Sequence, residues 1–257
     1  NSDINNALRR YQYSECERSP SARYIVGADW NLNAGVHIIV TECDFSGEDN
    51  KDIKYKVVDK VIVEKQEFTQ LKAVETILSL YYKWRADFVY VDAGYGGTQV
   101  EMLKKHAKDF PLSGLEKRIK SVEMGGHCII RDPISKEEVK KPAKPFMVNI
   151  ASKAVESGLC IFPKFEDTTA ILSDEEEEGA KNVGLVQQLR IFKVEKIAKN
   201  GNPTYSQGYD HTITAWMLTI LGFFMEFSDA RKVNHTFTVG FAGQFGEKSP
   251  DPEEIKE

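Results

Sequence analysis

The sequence has no paired cysteines, no apolar run of membrane length and no excess of positive charge, and each absence narrows what the chain can be. Its four cysteines, Cys16, Cys43, Cys128 and Cys160, are scattered and form no C-x-x-C pair. That spacing argues against a disulfide framework or a thiolate zinc site and fits a reducing compartment. The longest apolar stretch, residues 215–227, is broken by Thr219, Gly222 and Glu226. It falls short of the roughly 20 residues a spanning helix needs, so no membrane association is expected. No signal peptide and no internal repeat are visible. The formal net charge is −5, which argues against a protein that coats DNA generally. It leaves room for a site that holds cations, because such a site needs carboxylates and a local basic patch can still meet phosphate. The chain starts at Asn1 rather than Met, and a piece of something longer is expected.

What is present is a chain of 257 residues, 41% hydrophobic and 28% charged. That suffices for one sizeable core, and alternating strand-like and helix-like segments indicate an α/β class. Residues 1–20 are polar and read as a linker or arm. Residues 23–29, 36–41 and 55–63 read as strands, the first ending at Asp29. From Thr69, the apolar residues Leu71, Val74, Ile77, Leu78 and Tyr81 recur at helical spacing. Residues 88–91 form a short apolar strand ending at Asp92. Gly94, Gly96 and Gly97 then make a turn, and Thr98 is placed to cap a helix carrying Val100, Leu103 and Ala107. A strand over 119–122 precedes an irregular, glycine- and proline-bearing stretch at 124–145. A helix over 146–156, a strand over 159–162, an acidic loop at 174–178 and a short helix over 185–191 follow. Residues 193–206 read as a hairpin turning at Asn200-Gly201. Asp210 stands before a strongly apolar helix reaching about residue 227. The expected domain spans 21–230, and 231–257 form an acidic extension that is loose at its end.

The short link at 31–35 favours an antiparallel hairpin, and the helical crossover into the fourth strand favours parallel pairing. The expectation is a mixed central sheet, a three-strand meander plus parallel strands, with helices on both faces. Such a sheet can bring Asp29, Asp92 and Asp210 together. Singly, each has a plain explanation: Asp ends strands as a turn former and caps helices. Together they suit phosphodiester hydrolysis, which needs an activated water and a stabilised leaving oxygen, tasks a pair of divalent ions performs. Mg²⁺ and Mn²⁺ prefer the hard oxygens that aspartates supply.

Ile25-Val-Gly-Ala-Asp-Trp-Asn31 resembles the first nuclease motif of the large subunits of viral DNA-packaging terminases. Phe88-Val-Tyr-Val-Asp-Ala-Gly-Tyr-Gly-Gly-Thr98 resembles the second. Leu185-Val-Gln-Gln-Leu-Arg-Ile-Phe-Lys193 with Tyr205-Ser-Gln-Gly-Tyr-Asp-His-Thr-Ile-Thr-Ala215 resembles the closing region and third acidic motif. The resemblance covers most of residues 22–227. It implies a ribonuclease H-like fold and an endonuclease that cuts concatemeric viral DNA with two Mg²⁺ or Mn²⁺ ions, held by Asp29, Asp92 and Asp210. It implies double-stranded DNA as substrate, an N-terminal packaging ATPase, portal and terminase small subunit as partners, and the cytoplasm of the infected host cell as the location. No G-x-x-x-x-G-K-[S/T] phosphate loop is present, so ATP hydrolysis by this chain is not expected, and removal of the ATPase half is. Two departures concern a fourth ligand. Some relatives carry a histidine or acid just before the third acid, where Gln207 and Tyr209 stand here, and some an acid after the first, where Asn31 and Asn33 stand. The auxiliary candidates are Asn31 and His211; the plainer reading of His211 is a helix-start side chain bonded to backbone or solvent.

Phosphate contacts call for Lys and Arg. The candidates are Lys117, Arg118, Lys120, Lys136, Lys140, Lys141 and Lys144, in and before the irregular stretch, with Lys193, Lys196 and Lys199 second. The acidic segments are expected to lie away from the DNA or to inhibit. The competing readings are a Holliday-junction resolvase type, normally more basic, and a non-catalytic module docking on portal, small subunit or DNA. A four-acid exonuclease needs D-x-E on the first strand, where Asp29-Trp30-Asn31 stands.

Overall fold

The structure, a computed structural model, describes residues 1–31, 35–45, 53–94, 96–111, 114–131, 137–167, 184–198, 201, 203–206 and 210–227, with Asn31 and Arg131 as backbone only. Lys136, Lys199, Gln207, Tyr209, the 174–178 run and the 231–257 extension lie outside these residues.

The meander is β2 (Ala22–Asn31), β3 (Gly35–Asp44) and β4 (Tyr55–Val63), all antiparallel. The helix α2 (Gln70–Trp84) starts where the Thr69 hydroxyl accepts the Lys72 N–H at 3.0 Å and ends at Arg85 in the left-handed region. This crossover sets β5 (Phe88–Asp92) parallel to β2. The helix α3 (Gly97–Asp109) is capped at Gly96 rather than by Thr98, which lies inside it. A Cβ on Gly96 would overlap the Trp30 indole, so the turn after Asp92 has to be built on glycine. Then α4 (Leu115–Arg118) leads into β6 (Ile119–Val122), parallel to β5.

The stretch expected to be irregular is an antiparallel hairpin, β7 (His127–Arg131) with β8 (Glu138–Pro142). Its strands alternate in burial, with Ile130 in the core and Cys128 and Val139 packed against it, but exposed Ile129 beside Ile130 and the charged residues of β8 mask that alternation in the sequence. Then come α5 (Ala143–Glu156), β9 (Cys160–Pro163), α6 (Leu185–Ile191), the hairpin β10 (Val194–Ile197) with β11 (Pro203–Tyr205), and α7 (His211–Phe227). Residues 1–20 differ from a plain arm: α1 (Ser2–Ala7) packs by its buried Ala7, and β1 (Leu8–Arg9) pairs with β9. Among the described residues seven strands form one sheet, in the order β1-β9-β4-β3-β2-β5-β6.

Strand parity divides the core between the two faces. Val26, Ala28, Ile38, Val40, Val89 and Val91 pack with α2 and α3. Ile25, Ile39 and Tyr90 pack with α5 and α7 on the other side. The mixed sheet with helices on both faces is therefore as the sequence predicts. The apolar helix α7 crosses β2 at the closest range backbone allows, because a Cβ on Gly27 would overlap the Ala215 carbonyl oxygen. Near the other end of α7, Gly222 gives room to Ile25 and Tyr90. No helix among the described residues is long and apolar enough to cross a membrane, and the four cysteines are free thiols.

Candidate active site

In the parallel ladder Ala28 pairs with Val91, and Asp29 and Asp92 each stand one residue further along. Two adjacent strands thus deliver two carboxylates side by side at their carboxyl ends. Their parity matches Ile25 and Tyr90, so both face α7. Asp210 directly precedes α7, and its carbonyl accepts the Thr214 N–H at 2.8 Å. Asp29 and Asp92 are buried, at 5% and 6% exposure.

Burial of this kind opposes charge. Burial pushes the Asp29 carboxyl up to about 6; a hydrogen bond and the charge of His211 oppose this, and the charges of Asp92 and Asp210 add to it. Burial also raises Asp92, against the backbone N–H groups of Gly94 and Ala93 and the charges of Lys144 and His211. The Gly94 N–H donates to Asp92 Oδ1 at 3.0 Å. For His211, burial lowers the pKa, but the hydrogen bond and charge of Asp29, with Asp210 behind them, leave it raised overall.

Asp29 faces a histidine and Asp210 a lysine. His211 Nδ1 lies 2.8 Å from Asp29 Oδ2, so the histidine meets an acid rather than backbone or solvent. Lys144 Nζ lies 2.9 Å from Asp210 Oδ2 and 6.0 Å from the Tyr205 ring centroid. In this arrangement no group of three or more His, Cys, Asp and Glu among the described residues converges on one point to hold an ion. The reason is geometric: Asp29 is turned toward His211 and Asp210 toward Lys144. The donor set still fits a divalent cation: the three acids offer hard oxygens, and a metal would offset the burial and the neighbouring charges that raise Asp29.

The basic candidates separate. Lys144 is at the acids, and Lys140 and Lys141 sit on β8 just before it. Lys117 and Arg118 precede the amino end of β6, whose other end, Val122, is the one beside Asp92. The structure does not bring those two to the acids, and the Arg118 guanidinium donates to the Tyr81 hydroxyl at 3.2 Å. Lys120 pairs with Glu226 at 3.7 Å. Lys196 lies on the exposed hairpin strand β10, and Asn31 ends β2.

Three buried polar residues that sequence reasoning passed over complete the surroundings: His37, Thr212 and Gln188. Gln188 Oε1 accepts the N–H groups of Thr212 at 3.0 Å and Ile213 at 3.1 Å. Gln188 Nε2 donates to the Thr212 hydroxyl at 3.1 Å, and that hydroxyl lies 2.7 Å from His37 Nδ1. His37 carried one available signal, a polar residue at an inward position of an otherwise apolar strand.

No protein-family sequence model and no curated protein matches the chain. Solved structures do. The nuclease domain of the large terminase subunit of bacterial virus Sf6, in a mutant form with manganese, matches 85% of this chain and 96% of its own, at 11% identity and a TM-score of 0.51. The large terminase nuclease of thermophilic phage G20c matches at 14% identity, 84% and 94% coverage and a TM-score of 0.48. A large terminase from a further thermophilic bacteriophage matches 85% of this chain at 11% identity and a TM-score of 0.49, and this chain spans 42% of its length. The likeness to the Sf6 domain shows the fold: this chain has the ribonuclease H-like architecture of a phage large terminase nuclease domain.

Proposed function

We propose that this chain is a metal-dependent DNA endonuclease that cuts concatemeric viral DNA during genome packaging. The observation that supports it most is the placement of Asp29 and Asp92 side by side at the carboxyl ends of β2 and β5, with Asp210 at the start of α7 near enough for its charge to raise Asp29. The fold is shared with a nuclease domain whose structure carries manganese. Asp29, Asp92 and Asp210 would hold a pair of Mg²⁺ or Mn²⁺ ions. Bound there, the ions supply Lewis acidity and an activated water for in-line attack on phosphorus.

The remaining work belongs to the chain. The rigid ends of β2 and β5 hold two acids in fixed register. His211 and Lys144 balance the acids' charge before metal arrives, and both must yield part of that contact to it. Lys140 and Lys141, on β8 just before Lys144, would meet the phosphate backbone beside the site. Double-stranded DNA is the substrate class. The nuclease domain would take in α1 and β1 as well as residues 21–227, with a packaging ATPase, portal and small subunit as partners in the whole protein, acting in the host cytoplasm.

The test is incubation of supercoiled plasmid with the chain in EDTA, Mg²⁺ and Mn²⁺, followed by ligation of the products. Nicked and linear DNA that needs metal and religates directly, as 5′-phosphate and 3′-hydroxyl ends do, is the expected result. DNA left intact in every metal, without Mn²⁺ binding by calorimetry, would favour a docking module instead.

A further inference from the structure

An aspartate at the start of a helix ordinarily closes on its own helix, accepting the N–H groups two and three residues on. Asp210 occupies that position before α7, and those N–H groups belong to Thr212 and Ile213. Both are already taken by Gln188 Oε1, at 3.0 and 3.1 Å. The cap comes from another helix, from a side chain only 2% exposed.

We propose that Gln188 is the positioning residue of the acidic site: by capping α7 from α6 it spares the Asp210 carboxylate from capping its own helix and leaves it available to a metal ion. The proposal rests on the metal-binding reading above and assigns it a residue outside the acids. The geometry supports it in three ways. Asp210 Oδ2 does point elsewhere, to Lys144 Nζ at 2.9 Å. Gln188 has a further hold on the first turn through the Thr212 hydroxyl, at 3.1 Å. That hydroxyl in turn meets His37 Nδ1 at 2.7 Å, on the strand position paired with Asp29. One amide therefore links the origin of the third acid to the strand beside the first. A cap supplied by Asp210 itself would stabilise α7 as well, but would remove a ligand from the site. An amide also adds no negative charge next to three carboxylates.

The experiment uses the full chain with Gln188→Met, which keeps the volume and removes the cap, and Gln188→Glu, which keeps an acceptor oxygen. Amide hydrogen exchange is followed at Thr212 and Ile213, with residues 218–221 of the same helix as reference, and Mn²⁺ affinity is measured by calorimetry. Gln188→Met is expected to speed exchange roughly tenfold at Thr212 and Ile213 alone. It is expected to weaken Mn²⁺ binding roughly tenfold or more, as loss of a residue orienting a metal ligand does. Gln188→Glu should recover most of the exchange protection, since its carboxylate can still accept both N–H groups. Gln188→Asn, a methylene too short to reach the N–H groups, carries the same expectation should Gln188→Met not fold. Unchanged exchange overturns the cap. Faster exchange with Mn²⁺ affinity intact overturns the positioning role and leaves a merely structural one. A parent chain that binds no Mn²⁺ sinks the nuclease reading and this role with it, whereas a parent and a Gln188→Met chain that bind equally well sink this role alone.

Discussion

Lys144 shows what a single side chain does in a site crowded with acids. Its ammonium, 29% exposed, sits 2.9 Å from Asp210 and lowers the pKa of Asp92 through its charge. In metal-free protein it supplies part of the positive charge the acids need, and bound metal would take over that duty. Lys144→Ala should therefore lower the melting temperature in EDTA, by a stability loss under about 1 kcal/mol given its partial exposure. Saturating Mn²⁺ should close the gap. Thermal melts of both proteins in both conditions check this, and a deficit of equal size with and without Mn²⁺ would contradict it. The sequence showed Lys144 only as one of several basic residues. Its pairing with an acid 66 residues away is a tertiary fact. The acids themselves were legible, because each follows a short apolar or glycine-bearing run that ends where a sheet or helix end must fall. His211 was legible as a candidate, but its contact with Asp29, across 182 residues, was not.

At the scale of elements, α7 is both a structural beam and the carrier of an acid. It lies against β2 so tightly that a Cβ at Gly27 overlaps the Ala215 carbonyl oxygen. The obstacle is backbone, which cannot swing aside as a side chain would. Gly27→Ala should cost about 1–3 kcal/mol or more, and by lifting α7 it should also weaken Mn²⁺ binding, although Gly27 touches no ligand. Denaturant titration and calorimetry on the one variant check both; full stability would show that the contact relaxes cheaply. The elements marked by a clear hydrophobic period or apolar run were read at or near their bounds, α2 and β5 among them. Those that owe their form to partners were not. β1 is two residues long and is a strand only because β9 lies beside it. Among the described residues β7 and β8 pair only with each other and turn few apolar side chains to the core, Ile130, Cys128 and Val139, so polar residues, glycines and prolines hide them. The cap of α7 was hidden for the same reason: Gln188 lies 24 residues before the N–H it holds.

At the scale of the whole molecule, a chain of net charge −5 has to meet a polyanion through a small part of its surface. If the proposed function holds, that part would be the β8 side of the site, where exposed Lys140 stands four residues before Lys144, and not the end of β6 that carries Lys117 and Arg118. Lys140→Ala should weaken binding to unrelated duplexes about equally and reduce the salt slope by roughly 1. Lys117→Ala should leave that slope unchanged. Duplex binding in EDTA at several salt concentrations measures both, and the reverse ranking would move the DNA path to the opposite end of the sheet.

The central claim is that the acids brought together at the carboxyl edge of β2 and β5 perform metal-dependent cleavage. The most direct measurement is plasmid cleavage by Asp92→Asn beside the parent chain in Mn²⁺, with matched melting curves. Asp92 is buried and, among the described residues, has no lysine or histidine hydrogen-bonded to it as Asp29 and Asp210 do, so the change keeps shape while removing the charge the proposal assigns to a metal ligand. The account predicts metal-dependent nicking and linearisation by the parent and none above background by a folded Asp92→Asn. Undiminished cutting by the variant would contradict it.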